Sequence, residues 1–287
     1  MTIINLTDYK NTIFIGDPHG LNNVLSILNR YTKNVPDNSV LFFCGDIGLG
    51  FNALKTDSRD LDKCNIIAEK RNFHIILIRG NHDNPDLFVK DSPLNKTHIT
   101  VVEDYTVVRT YDKNILCIGG SISIDRTLRT KGKSYWENEG IKPIDDSLSA
   151  DIQNIAFNID IICAHSSPTY IGPINTSIDD QGDLINNYAI SDHKLKQDNW
   201  DNRRILNEVY EFISKHHKIS HWIYGHFHDS YHVIKNETEF IGLDCYYSGI
   251  FVKSVLKTKG IVFYREGPDI FNPINEIEYN VSKFTNY

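Results

Sequence analysis

The chain has 287 residues, of which 40% are hydrophobic, and a formal net charge of −7 at pH 7. No apolar run reaches the ~18 residues that a membrane-spanning helix needs, and the negative charge provides no global basic field for nucleic acid. Five scattered cysteines and an N-terminus without a secretory pattern favour a reducing, cytoplasmic setting. We expect one domain over residues 1–287, with a core at about 11–264 and a C-terminal extension at 265–287.

The first third of the chain alternates β-rich apolar runs with helical patterns. Strands are predicted at Asn11 to Ile15, Val40 to Cys44 and Phe73 to Ile78. Helices are predicted after Gly20 and at Leu61 to Ala68, where apolar residues fall on one helical face. This β-α-β-α-β order predicts a parallel sheet with right-handed crossovers.

Short β-rich runs and a long polar connection occupy the middle of the chain. Ile99 to Val102, Tyr105 to Arg109 and Asn114 to Ile118 suggest a meander of antiparallel strands. Gly119 to Ile141 is a long polar connection, and a helix is expected at about Leu148 to Ile155.

The second half is patterned less regularly. A strand is predicted at Ile159 to Cys163, and a later helix ends near His216. Between them, Ser166 to Asn199 is long and weakly patterned, which is typical of functional or disordered segments. Tyr231 to Lys257 and Ile261 to Tyr264 are expected to contain the closing strands.

Five short blocks, each after a strand-like run, contain side chains that bind metal ions. They are Asp17-Pro18-His19-Gly20, Gly45-Asp46, Gly80-Asn81-His82-Asp83, Ala164-His165 and Gly225-His226-Phe227-His228. Strand ends that bring these side chains to one sheet edge would form a polynuclear metal site. Two divalent ions ~3.5–4 Å apart need a shared ligand to offset their repulsion, and the Asp46 carboxylate suits that role. Mixed carboxylate, amide and imidazole ligands suit Mn, Fe, Zn or Ni better than Ca.

The spacing within the last block adds a local prediction. On an extended chain, residues two apart point to the same side. The imidazoles of His226 and His228 are therefore expected on one side, with Phe227 directed the opposite way into packing.

The five blocks, in this order, resemble the calcineurin-like metallophosphoesterase superfamily. The resemblance implies an α/β fold, a two-sheet β-sandwich flanked by helices, with a dinuclear metal site at strand ends. It implies two divalent ions, with Mn expected to support activity in vitro. It assigns one ion to Asp17, His19, Asp46 and His228, and the other to Asp46, Asn81, His165 and His226.

The resemblance also implies hydrolysis of a phosphoester by a metal-bridging hydroxide. His82 matches the catalytic histidine of the family, which would protonate or hydrogen-bond the leaving oxygen. Asp83 could orient His82, because a neighbouring carboxylate fixes a histidine tautomer. An equally supported interpretation is that Asp83 caps a helix at Asn84 to Phe88.

Part of the connection from Gly119 to Ile141 looks like a stretch that lies by the metal cleft in many bacterial and phage members. Arg126 and Arg129 could then bind phosphate bidentately, and Trp136 could stack on a base. The alternative is that these residues form surface salt bridges and a packed hairpin.

Two blocks differ from the phosphoprotein phosphatases of the superfamily, which usually carry Gly-Asp-x-x-Asp-Arg-Gly and Gly-Asn-His-Glu. Here the second block lacks that arginine, and the third ends in Asp83. Gly-Asn-His-Asp is typical of phosphodiesterase-like branches, so a phosphodiester is the preferred substrate. The alternatives are a phosphomonoesterase acting on phosphoprotein or nucleotide, and a non-catalytic scaffold with the same fold. The expected substrate is a phosphorylated small molecule, nucleotide or protein.

Overall fold

Strands and helices alternate along the computed structural model, which describes residues 1–32, 35–172, 177–179, 181–247, 250–251 and 261–262. The strands are β1 (Ile3–Asn5), β2 (Asn11–Ile15), β3 (Ser39–Phe43), β4 (Phe73–Leu77), β5 (Ile99–Val101), β6 (Thr106–Arg109), β7 (Asn114–Ile118), β8 (Ile161–Ala164), β9 (His221–Tyr224), β10 (Tyr231–Lys235), β11 (Thr238–Gly242), β12 (Tyr246–Tyr247), β13 (Ile250–Phe251) and β14 (Ile261–Val262). The helices are α1 (Leu21–Ser26), α2 (Leu54–Arg71), α3 (Asp146–Asn154), α4 (Asp183–Tyr188) and α5 (Leu195–His216). A π-helical segment, Ile27–Tyr31, continues α1, and 3-10 turns occur at Pro85–Leu87 and Arg126–Leu128.

Two large sheets form the body of the fold. One has the order β14-β2-β3-β4-β5 and is parallel throughout. The other has the order β1-β6-β7-β8-β9-β11-β10, with antiparallel pairs only at β6-β7 and β10-β11. Strands β12 and β13 pair separately. The predicted α/β sandwich of two sheets flanked by helices is confirmed.

Alternate residues of the central strands enter different layers of the core. In β3, Leu41 and Phe43 pack with α1 and α2, whereas Val40 and Phe42 pack between the two sheets. A strand buried on both faces is apolar without alternation, as in the uninterrupted run of β3. Each such fully buried side chain contributes roughly 1.5–3 kcal/mol to stability. The layers are therefore helix, sheet, sheet, helix, with α3 and α5 covering the seven-stranded sheet.

The carboxyl ends of the strands that precede the five blocks meet at one edge of the sandwich. Strands β2, β3 and β4 run in parallel, as do β8 and β9 in the other sheet. The two edges are in contact, because the His165 ring lies with Nδ1 2.7 Å from the Cys44 carbonyl oxygen. The fold thus places all five blocks together.

The predicted antiparallel meander is wrong for its first strand. β5 pairs in parallel with β4, with Ile99 opposite Ile75, in the five-stranded sheet. Of the three strands in the predicted meander, only β6 and β7 form an antiparallel pair. Apolar pattern alone does not encode the direction of so short a strand, since three residues carry no turn signal of their own.

Apolar periodicity predicts a start for α2 that is too late in the chain. α2 begins at Leu54, ahead of the predicted Leu61, because its first turns are polar and carry no apolar pattern. In these turns, buried Asp57 accepts a hydrogen bond from the backbone N–H of Gly50. α4 and the start of α5 occupy part of the weakly patterned segment, whose residues 173–176 and 180 lie outside the described chain.

The last part of the chain is described only in pieces. Strands β10 to β14 fall within the two predicted closing stretches, and the rest of those stretches lies outside the described residues. The same holds for 265–287, so the single-domain boundaries stay a prediction. Within the described ranges, no helix is both long and apolar enough to cross a membrane.

Candidate metal centre

Four side chains from three of the blocks converge beyond β2, β3 and β9. The potential ligand atoms of Asp17, His19, Asp46 and His228 all lie within 4.8 Å of one another. The Nε2 atoms of His19 and His228 are 2.8 Å apart. Each of these nitrogens lies 3.8 Å from a carboxylate oxygen, that of Asp46 for His19 and that of Asp17 for His228. This first group has the donor types and spacing of ligands around one ion.

A second group shares Asp46 with the first. The Nε2 atom of His165 is 3.0 Å from Asn81 Oδ1 and 3.4 Å from Asp46 Oδ1. The His226 ring lies beside that of His165, with centroids 5.0 Å apart. His165 Nδ1 donates to the Cys44 carbonyl oxygen, which leaves Nε2 as the acceptor facing Asn81 and Asp46. The predicted residues therefore lie close together: the first four form one group of ligand atoms, and Asp46, Asn81 and His226 each lie beside His165.

The two carboxylates are buried, and one of their oxygens is unpaired. Asp17 Oδ2 accepts a hydrogen bond from the backbone N–H of His226, and Asp46 Oδ1 from that of His82. Asp17 Oδ1 is buried without a hydrogen-bond partner among the described residues. An unsatisfied charged oxygen in the interior costs more than ~1–3 kcal/mol, so a cation there would offset a large penalty. The donor set and this oxygen fit a divalent metal.

Four candidate ligands have backbone conformations that L-residues rarely adopt. Positive φ angles of 49°, 55°, 72° and 51° occur at His19, Asp46, His226 and His228. Such residues each cost of order 1–3 kcal/mol and persist where the surrounding structure holds them. Strain of this kind clusters at functional sites, which is consistent with a built centre.

The last block therefore differs from the expected extended geometry. His226 and His228 are both left-handed rather than extended, yet both rings reach the centre. Phe227 packs against Tyr224, with ring centroids 5.8 Å apart, and also against the His226 ring at 5.0 Å, so it contacts the centre as well as the core. The turn, rather than strand alternation, brings the two imidazoles together.

Two glycines leave the space that the candidate ligands occupy. Gly45 has φ +105°, and a Cβ added there would lie 2.1 Å from His165 Nδ1. A Cβ at Gly225 would lie 1.9 Å from Asp17 Oδ1. The backbone must pass this close to let ligands from different strands meet.

Burial and neighbouring charge set the protonation of the centre. Burial raises the pKa of Asp17, and the Asp46 carboxylate raises it further. Burial also acts to raise the pKa of Asp46, but the imidazoles of His82, His165 and His19 outweigh it and hold that pKa well below its usual range. Without a cation, Asp46 is therefore the firmly ionised member of the acidic pair.

Three of the candidate ligand histidines favour their neutral form. Burial lowers the pKa of His165 and lowers that of His226 strongly. Burial, together with His19, lowers the pKa of His228 to about 4. Neutral imidazole is the form that binds metal ions, so these three rings are ready to act as ligands near neutral pH.

His82 lies at the rim of the centre and contacts an arginine. Its Nε2 accepts a hydrogen bond of 2.7 Å from Arg129 Nη2, and the ring of Phe51 is stacked with it at a 6.2 Å centroid distance. Burial lowers the pKa of His82. The neutral ring then carries its proton on Nδ1, where it can donate a hydrogen bond. Arg129 also pairs with Asp125 at 2.6 Å.

In the structure, Asp83 holds backbone groups of two neighbouring loops. Its buried carboxylate accepts hydrogen bonds from the backbone N–H groups of Ile47, Leu49 and Gly80. These bonds tie the loops after β3 and β4 together, and none of the Asp83 bonds in the described chain reaches the His82 ring. The 3-10 turn at Pro85–Leu87 is capped instead by Asn84.

The proposed substrate residues separate into different roles. Arg126 pairs with Asp192 at 2.5 Å and with Asp198 at 2.6 Å, which matches the salt-bridge alternative. Trp136 is buried and packs edge-on against Phe51, at 5.3 Å between centroids, so its faces are not open for a base. Arg129, by contrast, contacts a block residue, His82.

Sequence reasoning missed a row of polar residues behind the centre. Ser121 Oγ lies 2.8 Å from His226 Nε2. Ser123 Oγ accepts from the Asn81 amide at 3.1 Å and donates to Glu139 at 2.7 Å. Burial raises the pKa of Glu139 to about 7. The available signal was the Gly-Gly-Ser-x-Ser run directly after β7, within the segment expected beside the cleft.

A cleft of about 430 Å³ opens beside the centre. Its lining includes His19, His82, Phe51, Asn22, Asn52 and Asp60. A somewhat larger cavity, of about 490 Å³, lies near the end of α5, and its described lining contains none of the candidate ligands. The chemistry of the blocks therefore points to the smaller cleft as the approach for a substrate.

Comparison with known proteins assigns the family. The family model described as calcineurin-like phosphoesterase matches residues 10–230, and no curated protein matches. A phosphopantetheinyl hydrolase from Mycobacterium tuberculosis is 13% identical, with a TM-score of 0.42 over 83% of this chain and 91% of its own. A dimetal phosphatase from Danio rerio is 13% identical, with a TM-score of 0.39 over 78% and 76%. A protein serine/threonine phosphatase from Saccharomyces cerevisiae is 14% identical, with a TM-score of 0.32 over 85% and 71%.

The family match covers most of the chain and includes all five blocks. The solved structures are distant, and the assignment rests on the family model and not on them. The chain belongs to the calcineurin-like phosphoesterase family.

Proposed function

We propose that this protein hydrolyses phosphoesters with two divalent ions. One ion would be held by Asp17, His19, Asp46 and His228, and the other by Asp46, Asn81, His165 and His226. The proposal rests on the first group, whose ligand atoms all lie within 4.8 Å of one another. This group includes Asp17, whose Oδ1 is buried and has no hydrogen-bond partner among the described residues. When bound, such ions supply Lewis acidity that activates water and neutralises charge on phosphoryl oxygens. Mn, Fe, Zn and Ni suit the donor set.

The residues of the chain orient these ligands. Ser123 holds the Asn81 amide nitrogen, which turns the amide oxygen toward His165 and Asp46. Ser121 and the Cys44 carbonyl oxygen hold one nitrogen of His226 and of His165, respectively. Fixing one ring nitrogen sets the tautomer and leaves the other for a ligand.

His82 and Arg129 are proposed to act on the phosphoryl group. His82 would donate a hydrogen bond or proton to the leaving oxygen, as the family resemblance implies. Arg129 contacts His82 at 2.7 Å and would bind a phosphoryl oxygen, because guanidinium donors match phosphate geometry. Arg126, which is engaged by two carboxylates, is not assigned this role.

The cleft supports a phosphodiester as the preferred substrate. Its lining offers the exposed aromatic face of Phe51 and the amides of Asn22 and Asn52, and its described residues include neither lysine nor arginine. Asp60 is the only carboxylate among those described residues, and it pairs with Lys63 at 2.6 Å and Arg59 at 3.6 Å, so the lining holds no cation for a leaving group with a further negative charge. An uncharged alcohol with a planar ring fits this chemistry.

A phosphomonoesterase remains the second candidate because of one observation. The Arg129 guanidinium lies at His82, where it would favour the additional negative charge of a monoester. The two candidates differ in which part of the site determines substrate preference: the rim, where Arg129 lies, or the cleft, whose described lining has no lysine or arginine.

The test compares a bis-aryl phosphate with an aryl phosphate on metal-loaded protein. We expect two ions per chain and a higher kcat/KM for the diester. Asp46→Asn should lose most of the metal and activity, whereas Asp201→Asn, an exposed change on α5, should lose neither. A higher kcat/KM for the monoester would favour the second candidate, and hydrolysis of neither with two ions bound would favour a scaffold.

A further inference from the structure

A sixth strand end reaches the same edge as the five blocks. β11 runs parallel to β9, with Ile241 opposite Ile223, so its carboxyl end lies beside the end that leads to His226. The chain continues past β11 with the Leu243 N–H donating to the Tyr224 carbonyl oxygen at 2.7 Å.

The segment after β11 is pressed against the residue that precedes Asp17. A Cβ added at Gly16 would lie 2.2 Å from the backbone oxygen of Asp244. Glycine at this position therefore lets the two backbones approach closely. The next residue, Cys245, is buried, with 3% of its surface exposed.

Cys245 faces two of the candidate ligands. Its Sγ and the ring nitrogens of His19 and His228 all lie within 4.8 Å of one another. The same two histidines also belong to the group with Asp17 and Asp46, and Cys245 lies outside that second group. On a tetrahedral zinc ion with bonds of ~2.3 and ~2.1 Å, a sulfur and a nitrogen ligand lie ~3.6 Å apart. Cys245 Sγ and the two histidine nitrogens therefore have to move closer together to share an ion with the carboxylates.

We propose that Cys245 is a thiolate ligand of the ion held by His19 and His228, and that it biases this position toward zinc or ferrous iron over manganese. The inference rests on the metal centre of the proposed function. A soft thiolate selects borderline ions, whereas oxygen ligands suit manganese. Asp17 Oδ1, which is buried at the same centre and has no hydrogen-bond partner in the described part of the chain, independently indicates a cation there.

The thiol must lose its proton to bind. Burial, together with Asp17 and Asp244, raises the pKa of Cys245, so the metal-free protein holds a neutral thiol. A coordinating ion deprotonates such a thiol. The sulfur–hydrogen bond is then exchanged for a sulfur–metal bond, and one proton passes to solvent.

The other cysteines serve as internal controls. Cys44 and Cys163 lie between the sheets with sulfurs 3.6 Å apart, and Cys117 is in the same layer. Cys64 is buried where α2 packs on the five-stranded sheet. In the described chain, only Cys245 groups with metal-binding side chains.

X-ray absorption of the zinc-loaded chain tests the ligand directly. We expect a sulfur scatterer at about 2.3 Å, distinct from nitrogen and oxygen at about 2.0–2.2 Å. Cys245→Ser should remove it, and Cys64→Ser should keep it. A zinc shell of nitrogen and oxygen alone in the unaltered protein would overturn the proposal, as would sulfur that persists in Cys245→Ser. The measurement on the unaltered chain decides even if a variant does not fold.

Metal selectivity provides the second readout. The preference for zinc over manganese should fall in Cys245→Ser by at least the ~10-fold that loss of an outer partner of a ligand costs in affinity. An unchanged ratio would contradict the bias. Zinc bound without sulfur in an active hydrolase overturns only this proposal. Failure to bind any divalent ion overturns both this proposal and the proposed function.

Discussion

His82 lies at the rim of the centre, and its side chain can be removed without removing a contact to a candidate ligand that its backbone makes. Its side chain contacts Arg129 and Phe51, while its backbone N–H supports Asp46. His82→Ala should therefore keep both ions and lower kcat by ~10²–10⁴, the usual contribution of a general acid. The loss should shrink for esters with good leaving groups, which need less protonation. Equal losses across a leaving-group series would assign His82 to binding instead.

The two arginines of the connecting segment differ in their partners, which gives a matched pair of variants. Arg129→Ala should raise KM for a phosphoester by about 10-fold or more, because one charged hydrogen bond is worth ~1.5–3 kcal/mol. Arg126 contacts Asp192 and Asp198, so Arg126→Ala should leave KM unchanged and alter only stability. Steady-state kinetics and urea unfolding separate the two effects. The reverse order of KM effects would return the phosphate role to Arg126.

Glu139 should make the metal-free protein less stable as pH rises. Burial raises its pKa to about 7 from an ordinary 4.5, so the folded state binds this proton more tightly than the unfolded state. The stabilisation from this bound proton is fully present below pH ~4.5 and is lost as pH rises through about 7. Each pH unit between the two pKa values lowers the free energy of unfolding by ~1.4 kcal/mol. Glu139→Gln should remove that loss in urea unfolding at pH 5 and 7. An identical pH slope in both proteins would contradict it.

Between elements, Asp83 joins the loops that carry Asp46 and Asn81. Three backbone N–H groups donate to its carboxylate, and an amide can accept at only one atom. Asp83→Asn should destabilise the metal-free protein by about 1–3 kcal/mol and weaken metal binding. Asp86→Asn, at a more exposed neighbour, should do neither. Lower turnover at full metal occupancy and unchanged stability would restore the predicted orienting role of Asp83.

At the scale of the whole molecule, the sandwich and the clustering of the blocks could be predicted because both depend on short patterns of neighbouring residues. Each block follows a buried run, and parallel strands bring their carboxyl ends to one edge. The β5 direction was missed because a three-residue strand carries no orientation signal. The sequence left two interpretations of Arg126 and Trp136 open, because Asp192, Asp198 and Phe51, their partners in the structure, are distant or unpatterned in sequence. The contact of Glu139 with Ser123 becomes visible only in three dimensions.

Anomalous diffraction from crystals loaded with manganese or zinc tests the central claim most directly. We expect two peaks ~3.5–4 Å apart with the Asp46 carboxylate between them. One peak should be surrounded by Asp17, His19 and His228, and the other by Asn81, His165 and His226. A single peak, or peaks away from Asp46, would contradict a shared dinuclear centre at these strand ends.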